Sequence, residues 1–353
     1  MEAAALKLFG AIPLFAGIGQ DGLDGIARIF QPMSFPAAAH LMRQGQPADG
    51  AYLIESGSVE VYTALPGGGE SSVAALGPGA VLGEMALLDS GIRSASVLAR
   101  TAVAAHFIER DAFRMLLSQR NAAAFAIQNR ITLTLCERLR QLNGKVGEAD
   151  GAGAAPPLEA AVPARVAPRR GSCSFDWRAF LPVLPLFRRY GPAELAEFAA
   201  AAQVMELSRG QPLFRHGDPA ETCYVVVRGA LEITGARNGQ AHRIGVLGPG
   251  RLCGILAMIE GAPHSMSAAA RENAVLLEIG KDAFARLFKG DDRVAARFQE
   301  VVNQELLQAL ARTNNHLTRL VSQARIRGGR QEARKAEELE RALGGQDCRP
   351  AGT

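Results

Sequence analysis

Apolar residues along the chain follow one order of periods, and that order occurs twice. Short strand-like runs come first, as in Ala51–Tyr62, where the tract Tyr52–Glu55 and the alternating Val59 and Val61 flank Ser56-Gly57. This pattern predicts two antiparallel strands joined by a tight reversal. The period then lengthens. Ala124, Ile127, Ile131, Leu135, Leu139 and Leu142 recur at spacings of three or four, as do Val294, Phe298, Val302, Leu306, Leu310 and, two turns on, Leu317. Each set predicts a long amphipathic helix, the first over about 120–143. Many short strands separated by Gly and Pro turns point to a double-sheet jelly roll, each followed by its helix.

Aligning the two halves makes the repetition explicit. IPLFAGI at Ile12 meets LPLFRRY at Leu184, and RQGQPADGAYLIESGSVEVY at Arg43 meets RHGDPAETCYVVVRGALEIT at Arg215, with a shared offset of 172. Farther on, LGPGAVLGE at Leu76 meets LGPGRLCGI at Leu247, and Asp111-Ala112-Phe113 meets Asp282-Ala283-Phe284, with an offset of 171. One residue has been lost in a loop between strands, where loss is tolerated. The expected organisation is a first domain over 10–143, a flexible Gly/Ala/Pro-rich linker over 144–175, a second domain over 176–325 and a polar tail over 326–353.

Composition narrows the class without naming a partner. The 353 residues are 48% apolar and 21% charged, with a net charge of +4 from 39 basic and 35 acidic residues, a balance too even to predict a nucleic-acid or membrane partner from charge alone. Five dispersed cysteines without a C-x-x-C pair fit reduced thiols rather than a disulfide or zinc framework. No uncharged apolar run approaches ~18 residues and the start lacks a secretory signal, so a soluble cytoplasmic protein with no membrane association is expected. Walker, H-E-x-x-H and G-x-S-x-G patterns are missing and the six histidines do not fall at metal-ligand spacing, so no enzyme, metal or resident cofactor is expected.

Within the first copy stands VLGEMALLDSGIRSASV, Val81 to Val97. This string resembles the phosphate-binding cassette of the cyclic-nucleotide-binding domain family, which includes the sensor domain of catabolite activator proteins and the regulatory subunits of cyclic-AMP-dependent protein kinases. Gly83, Glu84, Met85, Ala86, Leu87, Arg93, Ala95, Ser96 and Val97 match its pattern, while Leu82 replaces the usual aromatic and Ile92 the usual proline. The resemblance implies a site for a cyclic nucleotide. Gly83 would leave room for close backbone approach, and the short helix starting near Met85 would turn N–H groups toward the anion. Arg93 would fork the exocyclic phosphate oxygens and Glu84 would accept from the ribose 2′-hydroxyl. The expected ligand is cyclic AMP, with cyclic GMP as the alternative. Ser94 stands where members preferring cyclic GMP often carry threonine, and Asn143, after Leu142, falls near the base-contacting positions of the following helix.

The second copy departs at the chemistry. In LCGILAMIEGAPHSMSA the aligned glycine is Gly254, but the glutamate has become Ile255 and the arginine His264. Losing two charge-assisted contacts of roughly 1.5–3 kcal/mol each weakens cyclic-nucleotide binding about a hundredfold or more, so one site per chain is expected. His264 itself is read as a surface histidine. Arg169-Arg170-Gly171-Ser172 resembles a kinase recognition site, but in a position that makes the match coincidental. The expected function is a tandem cyclic-nucleotide sensor that signals to a protein partner, or as a homodimer through its long helices. Two other readings stay open: a DNA-associated regulator using the arginines of the C-terminal segment, and a scaffold with a vestigial pocket.

Overall fold

The structure, a computed structural model, describes residues 12–64, 70–89, 91–149, 168–171, 173, 175–237, 240–290 and 292–327. It divides into two units, Met1–Leu135 with Thr318–Thr353, and Cys136–Leu317. The divisions fall inside the two long helices.

In the first unit, helix α1 (Gln20–Ala27) leads into strands β1 (Phe30–Phe35), β2 (His40–Met42), β3 (Gly50–Ser56), β4 (Val59–Ala64), β5 (Glu70–Leu76) and β6 (Val81–Leu82). A 3₁₀ turn at Glu84–Leu87 follows, then β7 (Ser96–Ala99), β8 (Val103–Glu109), α2 (Arg110–Ser118) and α3 (Ala122–Ala149), which belongs to this unit as far as Leu135. The strands form two antiparallel sheets in the orders β1-β8-β3-β6 and β2-β7-β4-β5. Their inner faces meet in one apolar cluster that joins Tyr52 and Ile54 of β3 and Ala105 of β8 to Val59 and Val61 of β4 and Val97 of β7. Val59 and Val61 point inward with partly exposed residues between them, the alternation expected of a strand with one wetted face.

The expected β3–β4 hairpin does not form. Both strands exist, but β3 pairs with β6 and β8 while β4 pairs with β5 and β7, in the opposite sheet. Gly57, at φ +90°, carries the chain across, and a Cβ there would collide with the Ala102 carbonyl and the Val103 backbone. Apolar alternation is equally compatible with two paired strands and with two strands facing each other across a core, so the pattern alone does not choose the partner.

The second unit repeats this plan strand for strand. Its elements are β9 (Arg169–Arg170), a short helix at Trp177–Phe180, α4 (Pro192–Ala201), β10 (Gln203–Leu207), β11 (Pro212–Phe214), β12 (Thr222–Arg228), β13 (Leu231–Arg237) and β14 (Gln240–Leu247). Then come β15 (Leu252–Cys253), α5 (Ile255–Glu260), β16 (Ser267–Ala270), β17 (Ala274–Gly280), α6 (Lys281–Lys289) and α7 (Arg293–Arg327). The sheet orders are β9-β10-β17-β12-β15 and β11-β16-β13-β14, the first unit's orders with β9 added at one edge. Both predicted helical stripes are buried: Ile127, Ile131, Leu135, Leu139 and Leu142 on α3, and Val294, Phe298, Val302, Leu306 and Leu317 on α7.

The stretch read as a linker over 144–175 is ordered at both ends. Helix α3 runs through Gly144 to Ala149 because Leu142 and Val146 on either side are buried, while Gly144 itself faces open space. A glycine in such a place costs a helix only about 1 kcal/mol, which the flanking burial offsets. At the other end Arg169 and Arg170 pair with Glu206 and Met205, and the Arg170 guanidinium donates to Glu278 at 2.8 Å. The intervening 150–167 and the polar tail from 328 onward lie outside the described residues. Among the described residues no helix is long and apolar enough to cross a membrane.

Candidate functional site

The cassette of the first unit begins where β6 ends. Gly83 adopts the left-handed conformation at φ +71° and turns the chain into the 3₁₀ segment Glu84–Leu87, whose Ala86 N–H returns to the Gly83 carbonyl at 3.0 Å. Ala86, Leu87 and Leu88 are buried and fix the segment, whereas Glu84 and Met85 stay partly exposed. The far arm is clasped to the loop before β3. Arg93 N–H donates to the Gln46 carbonyl at 2.8 Å, Gly45 N–H donates to the Arg93 carbonyl at 2.9 Å, and Pro47 bridges Ile92. Ile92, in place of a proline, is exposed, so this clasp holds the turn without a fixed ring there. Ser94 is exposed, and Ala95 and Ser96 are buried where the arm enters β7.

Arg93 is the centre of the site. Its side chain is only 4% exposed, yet its charge is met: Nη2 donates to Asp49 Oδ1 at 2.6 Å and Nη1 to the Gly50 carbonyl at 2.7 Å. Tyr52 places its ring 5.9 Å from the guanidinium carbon. Burial, reinforced by the nearby Asp49 carboxylate, pushes the Tyr52 phenol above its ordinary pKa, while Arg93 opposes that shift. A Cβ on Gly83 would overlap Arg93 Nη1. Gly83 therefore makes room for the guanidinium itself to lie against the backbone. The Asp49–Gly50 loop is held in turn by Arg110, whose backbone N–H donates to the Asp49 carbonyl at 2.8 Å and whose Nη1 donates to the Ala48 carbonyl at 2.8 Å.

Gly83, Glu84, Met85, Ala86, Arg93, Ser94 and Ala95 are thus brought into one cassette. Asn143 belongs to the second unit, where it is buried, its Oδ1 accepts from Thr313 Oγ1 at 3.4 Å, and it lines that unit's cavity. Asp49, Gly50, Tyr52 and Arg110 join this candidate site through the fold and were not singled out in the sequence. Asp49 carried a signal, because the aligned position in the second copy, Glu221, is also acidic.

The second unit keeps the cassette's backbone and replaces its chemistry. His264 N–H donates to the Asp218 carbonyl at 2.9 Å and Gly217 N–H donates to the His264 carbonyl at 2.8 Å, reproducing the clasp around Arg93. Gly254 is again left-handed, at φ +79°. His264 is not the surface residue expected: it is buried and stacked on Phe214, with ring centroids 3.8 Å apart and planes 9° from parallel. The clasp turns position 264 inward, as it does Arg93, so the backbone rather than the residue's polarity decides its burial. Desolvation lowers the imidazole pKa, with Asp218 acting weakly in the opposite direction. Ile255, in the place of the glutamate, is also buried.

The family model for the cyclic nucleotide-binding domain matches residues 32–120 and 204–291, one stretch in each unit. A cAMP-dependent protein kinase regulatory subunit from Mycosarcoma maydis is 24% identical over 268 residues, covering 73% of this chain and 42% of that protein. A CRP-like cAMP-activated global transcriptional regulator from Mycobacterium tuberculosis is 29% identical over 135 residues, covering 38% of this chain and 58% of that one. The chain thus spans about half the length of the curated relatives it matches. The regulatory domain of Toxoplasma gondii PKA, solved with cAMP, aligns over 87% of this chain and 97% of its own at 18% identity and a TM-score of 0.32.

Proposed function

Because the chain belongs to the cyclic nucleotide-binding domain family and carries two copies of that domain, we propose that its first unit is a sensor for a cyclic nucleotide, cyclic AMP before cyclic GMP. The observation that carries this reading is the buried, oriented Arg93 beneath Gly83. A guanidinium offers five N–H donors in a plane. Asp49 and the Gly50 carbonyl take one donor each and hold the plane in place, so the phosphodiester meets a fork whose orientation is set before binding. Glu84 stands partly exposed in the same cassette, where it accepts from the ribose 2′-hydroxyl. The second unit lacks both groups and binds no cyclic nucleotide.

The signal passes to a protein partner through α3. That helix runs without interruption from Ala122 to Ala149, and its residues are shared between the two units on either side of Leu135. A ligand shifts such an element only by binding one arrangement better than another, and a difference of ~1.4–3 kcal/mol changes the ratio of two arrangements about ten- to a hundredfold. Hydrogen exchange with and without cyclic AMP tests the relay. Protection is expected to change over residues 81–97 and along α3. A change confined to 81–97 reduces the protein to a passive binder. Competition among cyclic AMP, cyclic GMP and 5′-AMP tests the ligand, and equal affinity for the linear monophosphate would refute the cyclic-nucleotide assignment.

A further inference from the structure

The second unit holds a partly open cavity of about 280 Å³ beside its altered cassette. Much of its wall is aliphatic: Ile233 and Leu247 from the sheet and Met266 just before β16, with Leu139 and Val146 from α3. The position that holds a cation in the first unit is here occupied by the Phe214–His264 stack, a flat aromatic surface that also borders the cavity. His264 Cε1 would lie 3.2 Å from a Cβ on Gly254, so the ring fills the space that Arg93 takes in the other copy. The neighbouring polar pair, Asn143 and Thr313, is uncharged. Arg312 and His316 of α7 also line the cavity, and Arg312 is exposed to solvent.

We propose that this cavity is a binding site for an uncharged, fused two-ring aromatic molecule, and that it excludes cyclic nucleotides. Size and polarity both lead there. An aliphatic-lined protein cavity of about 150 Å³ accepts benzene, and this one is nearly twice as large. A flat ligand packs against the Phe214–His264 stack in offset fashion and removes apolar wall from water. A cyclic phosphodiester would bring a full negative charge to a cassette whose buried cation has become a stacked ring, leaving only the solvent-exposed Arg312 to meet it, where water screens most of the attraction. The inference is independent of what the first unit binds.

Equilibrium dialysis of indole against the full chain and against its Arg93→Ala variant tests it. Saturable binding of one indole per chain is expected, unchanged by Arg93→Ala and undiminished by excess cyclic AMP. Ala309→Trp, which fills the cavity from a partly exposed position on α7, should weaken it at least tenfold. Val246→Trp is the second variant: Val246 lines the cavity and is 42% exposed, so the fold accepts the larger ring there, and the same loss is expected. Non-saturable uptake, indole binding indifferent to both substitutions, or displacement of indole by cyclic AMP in the Arg93→Ala chain would overturn the proposal.

Discussion

Gly83→Ala separates the backbone role of the cassette glycine from its role in seating Arg93, and Gly254→Ala is its internal control. Both glycines are left-handed, at φ +71° and +79°, so each substitution carries the same conformational cost of roughly 1–2 kcal/mol. Their surroundings differ. At Gly83 the new methyl overlaps Arg93 Nη1, the end of a flexible side chain, so the guanidinium moves and the backbone need not. At Gly254 the nearest atom is His264 Cε1 at 3.2 Å, which has to give by a few tenths of an ångström. Moving Arg93 disturbs its bonds to Gly50 and Asp49, and hydrogen bonds to charged groups contribute about 1.5–3 kcal/mol each. Losing one such bond adds to the strain at Gly83 and takes the fork off the phosphate. Gly83→Ala should therefore lose about 3 kcal/mol or more of stability and at least about tenfold in cyclic AMP affinity, or ~1.4 kcal/mol. Gly254→Ala should lose about 1–2 kcal/mol of stability and leave affinity unchanged. Urea denaturation and calorimetry read the two quantities. Wild-type affinity in Gly83→Ala, or equal affinity losses in both variants, would refute the assignment of Gly83 to the guanidinium.

Arg93→Lys keeps the charge but not the planar fork, so calorimetry should show a loss of about tenfold or more in cyclic AMP affinity. Asp49→Asn should cost the fold no more than ~1 kcal/mol in urea, because the carboxylate is 68% exposed and solvent replaces much of its attraction, while affinity falls several-fold as Arg93 loses its anchor. The pKa of His264 is lowered in the fold, so the unfolded chain binds the extra proton first: stability is full above about pH 6.5, the unfolded value, and declines as the pH falls below it until the folded pKa is passed. Urea midpoints at pH 7.5 and pH 5 should differ accordingly, and His264→Phe, which preserves the stack, should flatten that difference. Burial raises the thiol pKa of Cys136, Cys223 and Cys253, the last to about 12, so iodoacetamide at pH 8 followed by mass spectrometry should label none of these three until urea is added.

Much of this architecture is legible in the sequence because it is written there twice. An offset of 172 or 171 that holds from Ile12 to Phe113 predicts two copies of one unit, and the sheets repeat the same strand order with β9 added in the second. The long helices were visible as three-and-four stripes because their buried side is continuous. Strand partners were not, since Val59 and Val61 alternate identically whether they pair with β3 or face it. The linker reading failed at Gly144 for a similar reason: composition reports local preference, while the burial of Leu142 and Val146 is a tertiary effect. In the candidate site, VLGEMALLDSGIRSASV stands out in the sequence through its resemblance to the family's cassette pattern. Asp49 lies 44 residues before Arg93 and is joined to it only by the fold. His264 was misjudged because a polar residue without a charge partner reads as exposed, whereas the clasp from Gly217 and Asp218 turns its side chain inward onto Phe214.

The central claim is that this chain holds one cyclic-nucleotide site, built around Arg93, despite having two copies of the domain. Calorimetric titration of the full chain with cyclic AMP, repeated on Arg93→Ala, tests it most directly. One site per chain that Arg93→Ala abolishes is the predicted result; two equivalent sites, or binding that survives Arg93→Ala at wild-type affinity, would contradict it.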